Sequence, residues 1–201
     1  AEALLTGGFT AGGAWAIRFP ARDKIKFSAV VKGSCWVRLD GEPEPGLLQA
    51  GDVSLLAEKR SFVLASDLNL PPLDAVTLFS AAGKSQATLG DGSELAYLGG
   101  HVEFDPSHGS LLMDVLPPWI HLTSASPQAK VFRWLMDQLV AENDDTLPGK
   151  QLVSAQLTQL LFVQILREHL LRASGSSAGW LRALGDPRIA PALVRMHGDP
   201  A

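Results

Sequence analysis

Apolar and polar residues alternate along much of the first 118 residues, which is the pattern of β-strands with one buried face. The alternation is clearest in residues 25–31 and 35–39. Further short apolar runs predict strands at Val53–Leu56, Phe62–Ala65, Val76–Phe79 and Glu94–Phe104. Between the last two runs, the polar stretch 83–92 is predicted to be a loop. Many short strands at close spacing indicate a β-sandwich or a closed barrel.

After residue 118 the apolar spacing changes to that of helices. Ser126 followed by Pro127 is typical of a helix start, and apolar residues then recur at helical spacing through 131–140. A polar stretch separates this helix from a second one, which we predict over residues 151–172. The C-terminal part of the chain is therefore expected to be helical.

Apolar side chains surround most of the second predicted helix, so this helix must be covered on more than one side. One side can pack on the chain's own barrel. We expect the other side to pair with a second copy of the chain and form a homodimer, through Leu157, Leu161, Gln164 and Ile165. The alternative is a helix that is simply well buried within one subunit.

The last 28 or so residues differ in character from the rest. A Ser/Gly stretch at 174–177 is typical of a linker. Beyond it, Asp186 and Pro187 predict the start of a helix that is too short to fold alone. The chain is thus predicted to divide into a barrel at 1–118, a helical dimerisation segment at 119–173, and a linker with the first helix of a truncated domain at 174–201.

Composition narrows the class of protein. The 201 residues are 46% hydrophobic with a formal net charge of −4, which suits a folded core and argues against disorder. A segment that bound nucleic acid by itself would be expected to carry a basic stripe, and none is visible. A single cysteine excludes an internal disulfide and favours a reducing compartment. We find neither a signal peptide nor a membrane span, so we expect a cytoplasmic protein without a membrane partner.

Several short motifs occur in a characteristic order. The first group is Gly33–Glu42, Gly51-Asp52-Val53, Gly100 with Phe104-Asp105, Leu116-Pro117-Pro118 and Leu160–Gln164. The second group is Gly179-Trp180-Leu181, Asp186–Ile189, Ala192-Leu193 and Met196-His197. The first group resembles the cupin-type sensor domain of one large subfamily of AraC-type transcription regulators, and the second resembles the entry to the DNA-binding domain of that family. The resemblance covers nearly the whole chain in the family's order.

This resemblance implies a mainly β fold with α, namely a cupin-like (jelly-roll) β-barrel followed by a C-terminal helical dimerisation segment. It also implies that the barrel binds a small-molecule effector and that the helices pair two subunits. Operator DNA would be bound only by a C-terminal helix-turn-helix domain that this sequence lacks. A dimer suits that role, because two DNA-binding domains can then span half-sites at a fixed separation.

Two alternatives to an effector-controlled regulator stay open. One is a metal-dependent cupin enzyme, such as a dioxygenase or an isomerase, and the other is a structural dimerisation module without a ligand. Cupin enzymes usually hold a metal through closely spaced histidines and a carboxylate. None of the five histidines here forms a His-x-His pair, and Phe62 occupies the position where many relatives have a histidine. No nucleophile elbow, phosphate loop or carboxylate pair indicates catalysis, so we predict no metal, no cofactor and no catalytic residue.

Four residues are candidate effector contacts: Trp36, His101, Tyr97 and Phe27. Strand alternation places Tyr97 and His101 on one face, where the imidazole could hydrogen-bond an effector if that face lines the barrel. If the same face points outward, His101 is merely solvated. The aromatic residues could line a cavity or belong to an ordinary core.

Cys35 is a candidate redox sensor. That role would require a nearby cation and some exposure of the thiol. Lys32 and Arg38 are close in sequence, but alternation places both on the opposite face of the strand. A small buried hydrophobe is therefore the favoured interpretation of Cys35.

Overall fold

The structure is a computed structural model that describes residues 2–21, 24–82, 86–103, 116–144 and 148–172. The strands in these ranges are β1 (Glu2–Ala11), β2 (Ala16–Phe19), β3 (Ile25–Lys32), β4 (Ser34–Leu39), β5 (Gly46–Gln49), β6 (Val53–Leu56), β7 (Phe62–Ala65), β8 (Leu73–Asp74), β9 (Gln86–Leu89), β10 (Leu95–Glu103) and β11 (Trp119–Leu122). The helices are α1 (Ala75–Ala82), α2 (Ala129–Asp144) and α3 (Lys150–Arg172). Within the described ranges, no helix combines the length and the apolar character needed to cross a membrane.

The described strands form two sheets that share an apolar interior. One sheet has the order β11-β6-β3-β10-β1-β9, and the other has the order β5-β4-β7-β2-β8. Strands β3 and β10 pair in antiparallel fashion in the middle of the first sheet, with Lys26 opposite His101. Two sheets with helices after them are the mainly β architecture with α that the sequence predicts.

The position of a residue along its strand decides which of two cores it joins, because successive side chains point to opposite faces. Within β3, Val30 joins the inter-sheet core, which lies between the two sheets. Ile25 and Ala29 instead join the helix-facing core, which lies between the first sheet and helices α2 and α3. Strand β3 is therefore buried on both faces and contacts both the barrel interior and the helices.

Five of the predicted strands are confirmed as β3, β4, β6, β7 and β10. The strand predicted at Val76–Phe79 is wrong, since these residues lie in α1. The cause is local: Oδ1 of Asp74 accepts a hydrogen bond of 2.8 Å from the backbone N–H of Thr77, as an N-cap does. A capped helix start outweighs the apolar character of such a short run, which alone does not distinguish helix from strand.

Strands also lie where none is predicted, namely β1, β2, β5, β8, β9 and β11. Strand β9 falls within the stretch 83–92 predicted to be a loop, of which residues 83–85 lie outside the described residues. It pairs in parallel with β1, so its partner is remote in sequence and local patterns do not reveal it. Strand β11 follows Pro118 and pairs with β6, so β structure continues beyond the predicted end of the barrel at residue 118.

Both predicted C-terminal helices are confirmed as α2 and α3. Two of the predicted dimer contacts are wrong, however, because Leu161 and Ile165 are 0% exposed within the helix-facing core of a single subunit. Leu157 and Gln164 are half-buried beside them. The outward side of α3 carries other apolar side chains, which are Leu152, Val153, Leu160, Val163 and Leu171. The predicted linker and short helix at 174–201 lie outside the described residues.

Candidate ligand-binding cavity

A cavity of about 300 Å³ opens within the barrel, between the two sheets. This volume is at the small end of the range for cavities that hold small molecules. Its lining combines apolar and aromatic side chains with a few polar ones, and helix α1 contributes to one wall through Ala75 and Phe79. The composition, mostly apolar with a few polar groups, is that of a small-molecule site.

Aromatic rings form much of the cavity wall. The rings of Phe19 and Phe62 are stacked, with centroids 4.8 Å apart and an interplanar angle of 9°. Phe79 of α1 lies against Phe19 at 6.4 Å, and Phe9 lies against Tyr97 at 5.1 Å. These rings pack against one another, so the wall has a defined shape before any ligand binds.

Trp119 of β11 closes the wall between the two sheets. Its indole ring lies so near Gly46 of β5 that a Cβ atom on that glycine would be only 2.8 Å from the Trp119 Cη2 atom. Glycine at position 46 therefore allows a ring carried by the first sheet to reach the second sheet. Trp119 also stacks on His121, with ring centroids 5.4 Å apart.

Three hydroxyl groups lie together on the inner face of the first sheet. The Oγ atoms of Ser28 and Ser54 are 2.6 Å apart, and Ser28 also hydrogen-bonds the Tyr97 hydroxyl. Burial raises the pKa of Tyr97 well above its usual value, although the hydrogen bond with Ser28 opposes part of that rise. The Tyr97 phenol is therefore protonated at neutral pH, and the group of hydroxyls is uncharged.

Cationic side chains lie at another part of the lining. Lys26 donates a hydrogen bond of 2.6 Å from Nζ to the backbone oxygen of Pro20, and its Nζ lies 5.0 Å from the centre of the Phe62 ring. The Nζ atom of Lys24 lies 3.2 Å from Nε2 of His101. Because His101 and Lys26 are cross-strand partners in the β3–β10 pair, the sheet register itself brings these groups together.

The structure brings three of the four predicted effector contacts to this cavity. Tyr97 and His101 line it, on the face of β10 that the alternation groups together. Phe27 borders it too, but the Phe27 side chain also belongs to the helix-facing core. Trp36 is not brought there: it is 39% exposed on the outer face of the second sheet. The alternation of β4 explains this placement, because Cys35, Val37 and Leu39 take the inward positions.

Cys35 is buried in the inter-sheet core. Desolvation by burial raises the pKa of its thiol from 9.0 to about 12. A redox sensor needs the thiolate and an accessible sulfur, and this environment opposes both. The structure thus does not support the predicted redox role, and it places Cys35 as a small apolar core residue.

Lys24, Lys26 and Phe19 line the cavity but are absent from the predicted contacts. The alternation in the sequence does place Lys26 on the same strand face as Ser28 and Val30, and this is the face that lines the cavity. A lysine on an otherwise apolar strand invites the assumption that its face is solvated. Only the pairing of β3 with β10 shows that this face is the inner one.

No group of three or more His, Cys, Asp and Glu side chains suited to a metal ion occurs among the described residues. Phe62, which stands where the family resemblance leads one to expect a histidine, forms part of the aromatic wall. His121 is instead engaged with Asp52, since its Nε2 atom lies 2.9 Å from Oδ2 of that buried carboxylate.

Comparison with known proteins agrees with this description. A family model described as Cupin matches residues 1–171. A putative AraC-like transcription regulator of Streptomyces antibioticus is 37% identical over 197 residues, which is 98% of this chain and 65% of that protein. A protein of the same description from Streptomyces lividans is equally similar. The HTH-type transcriptional regulator AlkR of Acinetobacter baylyi is 25% identical over 94% of this chain and 63% of that protein.

Among solved structures, wild-type ToxT of Vibrio cholerae bound to an unsaturated fatty acid has a TM-score of 0.43 and 11% identity. That match covers 84% of this chain and 54% of the ToxT chain. The chain spans about two thirds of the length of the curated relatives that it matches. The predicted resemblance is confirmed: the chain belongs to the cupin family and is similar, over nearly its whole length, to AraC-like transcription regulators.

Proposed function

We propose that this chain is the ligand-sensing and dimerisation region of an AraC-type transcription regulator of the cytoplasm. A small effector binds in the barrel cavity and changes how a helix-turn-helix domain, joined after α3, binds operator DNA. The observation that carries this proposal is the apolar cavity of about 300 Å³, whose wall is made by strands that also support the helices. The region acts by binding and catalyses no reaction.

A set of contacts between the cavity and the helices supports effector control. Trp119 lines the cavity and stacks on His121, which contacts Asp52. Oδ1 of Asp52 accepts a hydrogen bond of 2.8 Å from the backbone N–H of Ser124, in the loop that leads to α2. A ligand that displaces Trp119 therefore acts on the loop that positions the helices.

The same loop also contacts the far end of α3. The Ser126 hydroxyl donates a hydrogen bond of 2.9 Å to Oε1 of Glu168, and this carboxylate is buried. Arg172, the last residue of α3, donates from Nε to the same oxygen at 2.7 Å. The loop thus adjoins the end of the helix from which the chain continues, and a shift there would reorient whatever follows.

The outward side of α3 is our proposed dimer surface. Leu160 and Val163 are 41% and 39% exposed, and Val153 and Leu171 extend the same side along the helix. Exposed apolar side chains grouped along one helix are typical of an interaction surface. Here the occupant is a second copy of the chain, with Leu157 and Gln164 at the margin of the contact.

A chimeric regulator tests the proposed function. This chain would be joined to the part of the Streptomyces antibioticus relative that it does not match, and operator binding would be measured with and without candidate effectors. Gly99→Leu is the cavity-filling variant: Gly99 lines the cavity, and an added Cβ would meet only Tyr97 Cε1, at 3.6 Å. The control is Gln86→Leu on the exposed side of β9.

We expect effectors to change operator affinity in the parent chimera and in the Gln86→Leu control. The Gly99→Leu variant should still bind DNA but lose that response. A response that survives in a folded Gly99→Leu variant would contradict the proposal, because the barrel cavity would then not be the effector site.

A further inference from the structure

Three hydroxyl groups of the cavity lining already hydrogen-bond one another. Ser28 bonds both the Ser54 hydroxyl, with the two Oγ atoms 2.6 Å apart, and the Tyr97 hydroxyl. A ligand that bonded these groups would first have to break their mutual contacts. Exchanging one neutral hydrogen bond for another gives a small net gain, so the hydroxyls do not favour a strongly polar ligand.

The charged side chains of the described lining also have partners within the protein. Lys26 donates from Nζ to the backbone oxygen of Pro20 at 2.6 Å, and its Nζ lies over the Phe62 ring. The Nζ atom of Lys24 lies 3.2 Å from Nε2 of His101. An anion would have to compete with these contacts, and an ammonium would meet two lysines of its own sign. Either ion would also lose hydration on entering a mostly apolar cavity.

Apolar side chains, in contrast, present surface that the chain leaves uncovered. Phe19 and Phe79 line the cavity and are only half-buried. Val76 of α1 lines it too and is 44% exposed. Contact between such surface and an apolar ligand removes both from water, which is the main favourable contribution to binding in a cavity of this kind. The lining therefore rewards hydrocarbon surface more than charge.

Glycine on the first sheet provides the room for a hydrocarbon group. Gly7 of β1 is the cross-strand partner of Gly99 of β10, and both line the cavity. A Cβ atom at Gly99 would meet only Tyr97 Cε1, at an ordinary 3.6 Å, so packing of the chain does not require glycine there. Glycine inside a strand costs stability and often marks a place where a ligand approaches the backbone closely. We interpret the glycine pair in this way.

We propose that the effector is an uncharged, largely apolar molecule that carries at most one neutral polar group. Its hydrocarbon part lies against Phe19, Val76 and Phe79 and over the glycine pair. The lysines and hydroxyls of the lining keep their contacts within the protein, so the cavity disfavours ligands that carry a charge of either sign. This inference rests on the proposed function, because it names the class of ligand that the same cavity takes.

Two triads of probes with matched skeletons test the charge selectivity. One triad is 1-octanol, octanoate and octylammonium, and the other is 2-naphthalenemethanol, 2-naphthoate and 2-naphthalenemethylammonium. Binding to the 201-residue chain would be measured at pH 7 by calorimetry. We expect at least one alcohol to bind, and to bind about tenfold or more tightly than either ion of the same skeleton, because the ions pay the larger desolvation cost.

Variants of the lining assign this binding to the cavity. Phe79→Ala removes a half-buried ring and should weaken binding of the preferred alcohol about tenfold. Gly99→Ala adds one methyl group to the opposite wall and should weaken it about fivefold or more. Trp36→Ala is the matched control, because it truncates an aromatic residue on the outer face of the second sheet, and it should leave the affinity unchanged. Circular dichroism would verify that each variant is folded.

An ion that binds as tightly as its alcohol, in either triad, would overturn this inference and leave the cavity as an effector site. Alcohol binding that folded Phe79→Ala and Gly99→Ala variants retain in full would overturn it too, since the ligand would then lie elsewhere. Failure of all six probes to bind would also overturn it, and the Gly99→Leu chimera would decide the proposed function separately. Selective alcohol binding that both lining variants weaken would support it.

Discussion

The imidazole of His121 and the buried carboxylate of Asp52 lie 2.9 Å apart, and this contact joins the turn before β6 to strand β11. Asp52 also accepts hydrogen bonds from the backbone N–H groups of Gln49 and Ser124. One carboxylate thus organises a turn, a strand that carries Trp119 into the cavity wall, and the loop that leads to α2. The Gly51-Asp52 motif noted in the sequence has this structural role.

We predict that Asp52→Ala lowers the free energy of unfolding by about 3 kcal/mol, because it removes a buried carboxylate that accepts two partly buried backbone hydrogen bonds and contacts His121. Chemical denaturation measures this change. Asp67→Ala is the control: Asp67 also accepts a backbone hydrogen bond, from Asn69, but in an exposed turn. Its effect should be about 0.5 kcal/mol or less. If Asp52→Ala lowered the free energy of unfolding as little as Asp67→Ala is expected to, the Asp52 contacts would contribute little to the stability of the fold.

The buried position of Cys35 predicts a thiol that does not react in the folded protein. The chain has one cysteine, so a thiol reagent reports on Cys35 alone. At pH 8 we expect modification only after denaturant is added, because burial both shields the sulfur and raises its pKa to about 12. Rapid modification of the native protein would contradict this placement and would restore the redox interpretation.

The same burial predicts a loss of stability at alkaline pH. Cys35 and Tyr97 both have folded-state pKa values above their ordinary values of 9.0 and 10.0. Above about pH 9 the unfolded chain releases protons that the folded chain keeps, so the free energy of unfolding falls as the pH rises toward the folded-state values. Below pH 9 the contribution is fully present.

Urea unfolding at pH 8, 9, 10 and 11 would measure this slope. Cys35→Ala and Tyr97→Phe should each reduce the slope, whatever their effect on stability at pH 8. Absorbance at 295 nm adds a direct test, because Tyr97 is the single tyrosine of the chain. Ionisation of this tyrosine near pH 10 in the native protein would contradict the prediction.

The proposed dimer surface predicts opposite results for two sides of α3. Leu160→Glu with Val163→Glu should convert a dimer to a monomer without loss of helical content, because both side chains point outward. Light scattering and circular dichroism measure the two effects. Leu161→Ala should instead lower the free energy of unfolding by about 2–5 kcal/mol and leave the mass of the folded species unchanged. A dimer that survives the double substitution would exclude this face as the contact.

Much of the inner arrangement could be predicted from short-range patterns. The alternation in β10 groups Tyr97 with His101, and both line the cavity as that grouping allows. The alternation in β4 separates Cys35 from Trp36, and the structure places them on opposite faces. Alternation defines two faces of a strand but does not say which one is inside, so it shows neither that Trp36 points outward nor that Lys26 lines the cavity.

The burial of α3 could not be predicted for a similar reason. Apolar residues cover most of its surface, and the sequence does not show which of them meet the sheet. Leu161 and Ile165 belong to the helix-facing core, whereas Leu160 and Val163 remain outside. Leu160 and Leu161 are adjacent in sequence, yet one is exposed and the other is buried, because one residue step turns a helix by about 100°.

The sequence by itself determined the mainly β fold with two C-terminal helices, the resemblance to AraC-type regulators, and the faces of the central strands. These features follow from local periodicity and motif order, which are properties of neighbouring residues. Only the tertiary structure decided that Lys24, Lys26, His101 and the phenylalanine rings share one cavity. Their proximity comes from sheet pairings such as β3 with β10, which places Lys26 opposite His101, 75 residues further along the chain. No local pattern encodes such a pairing.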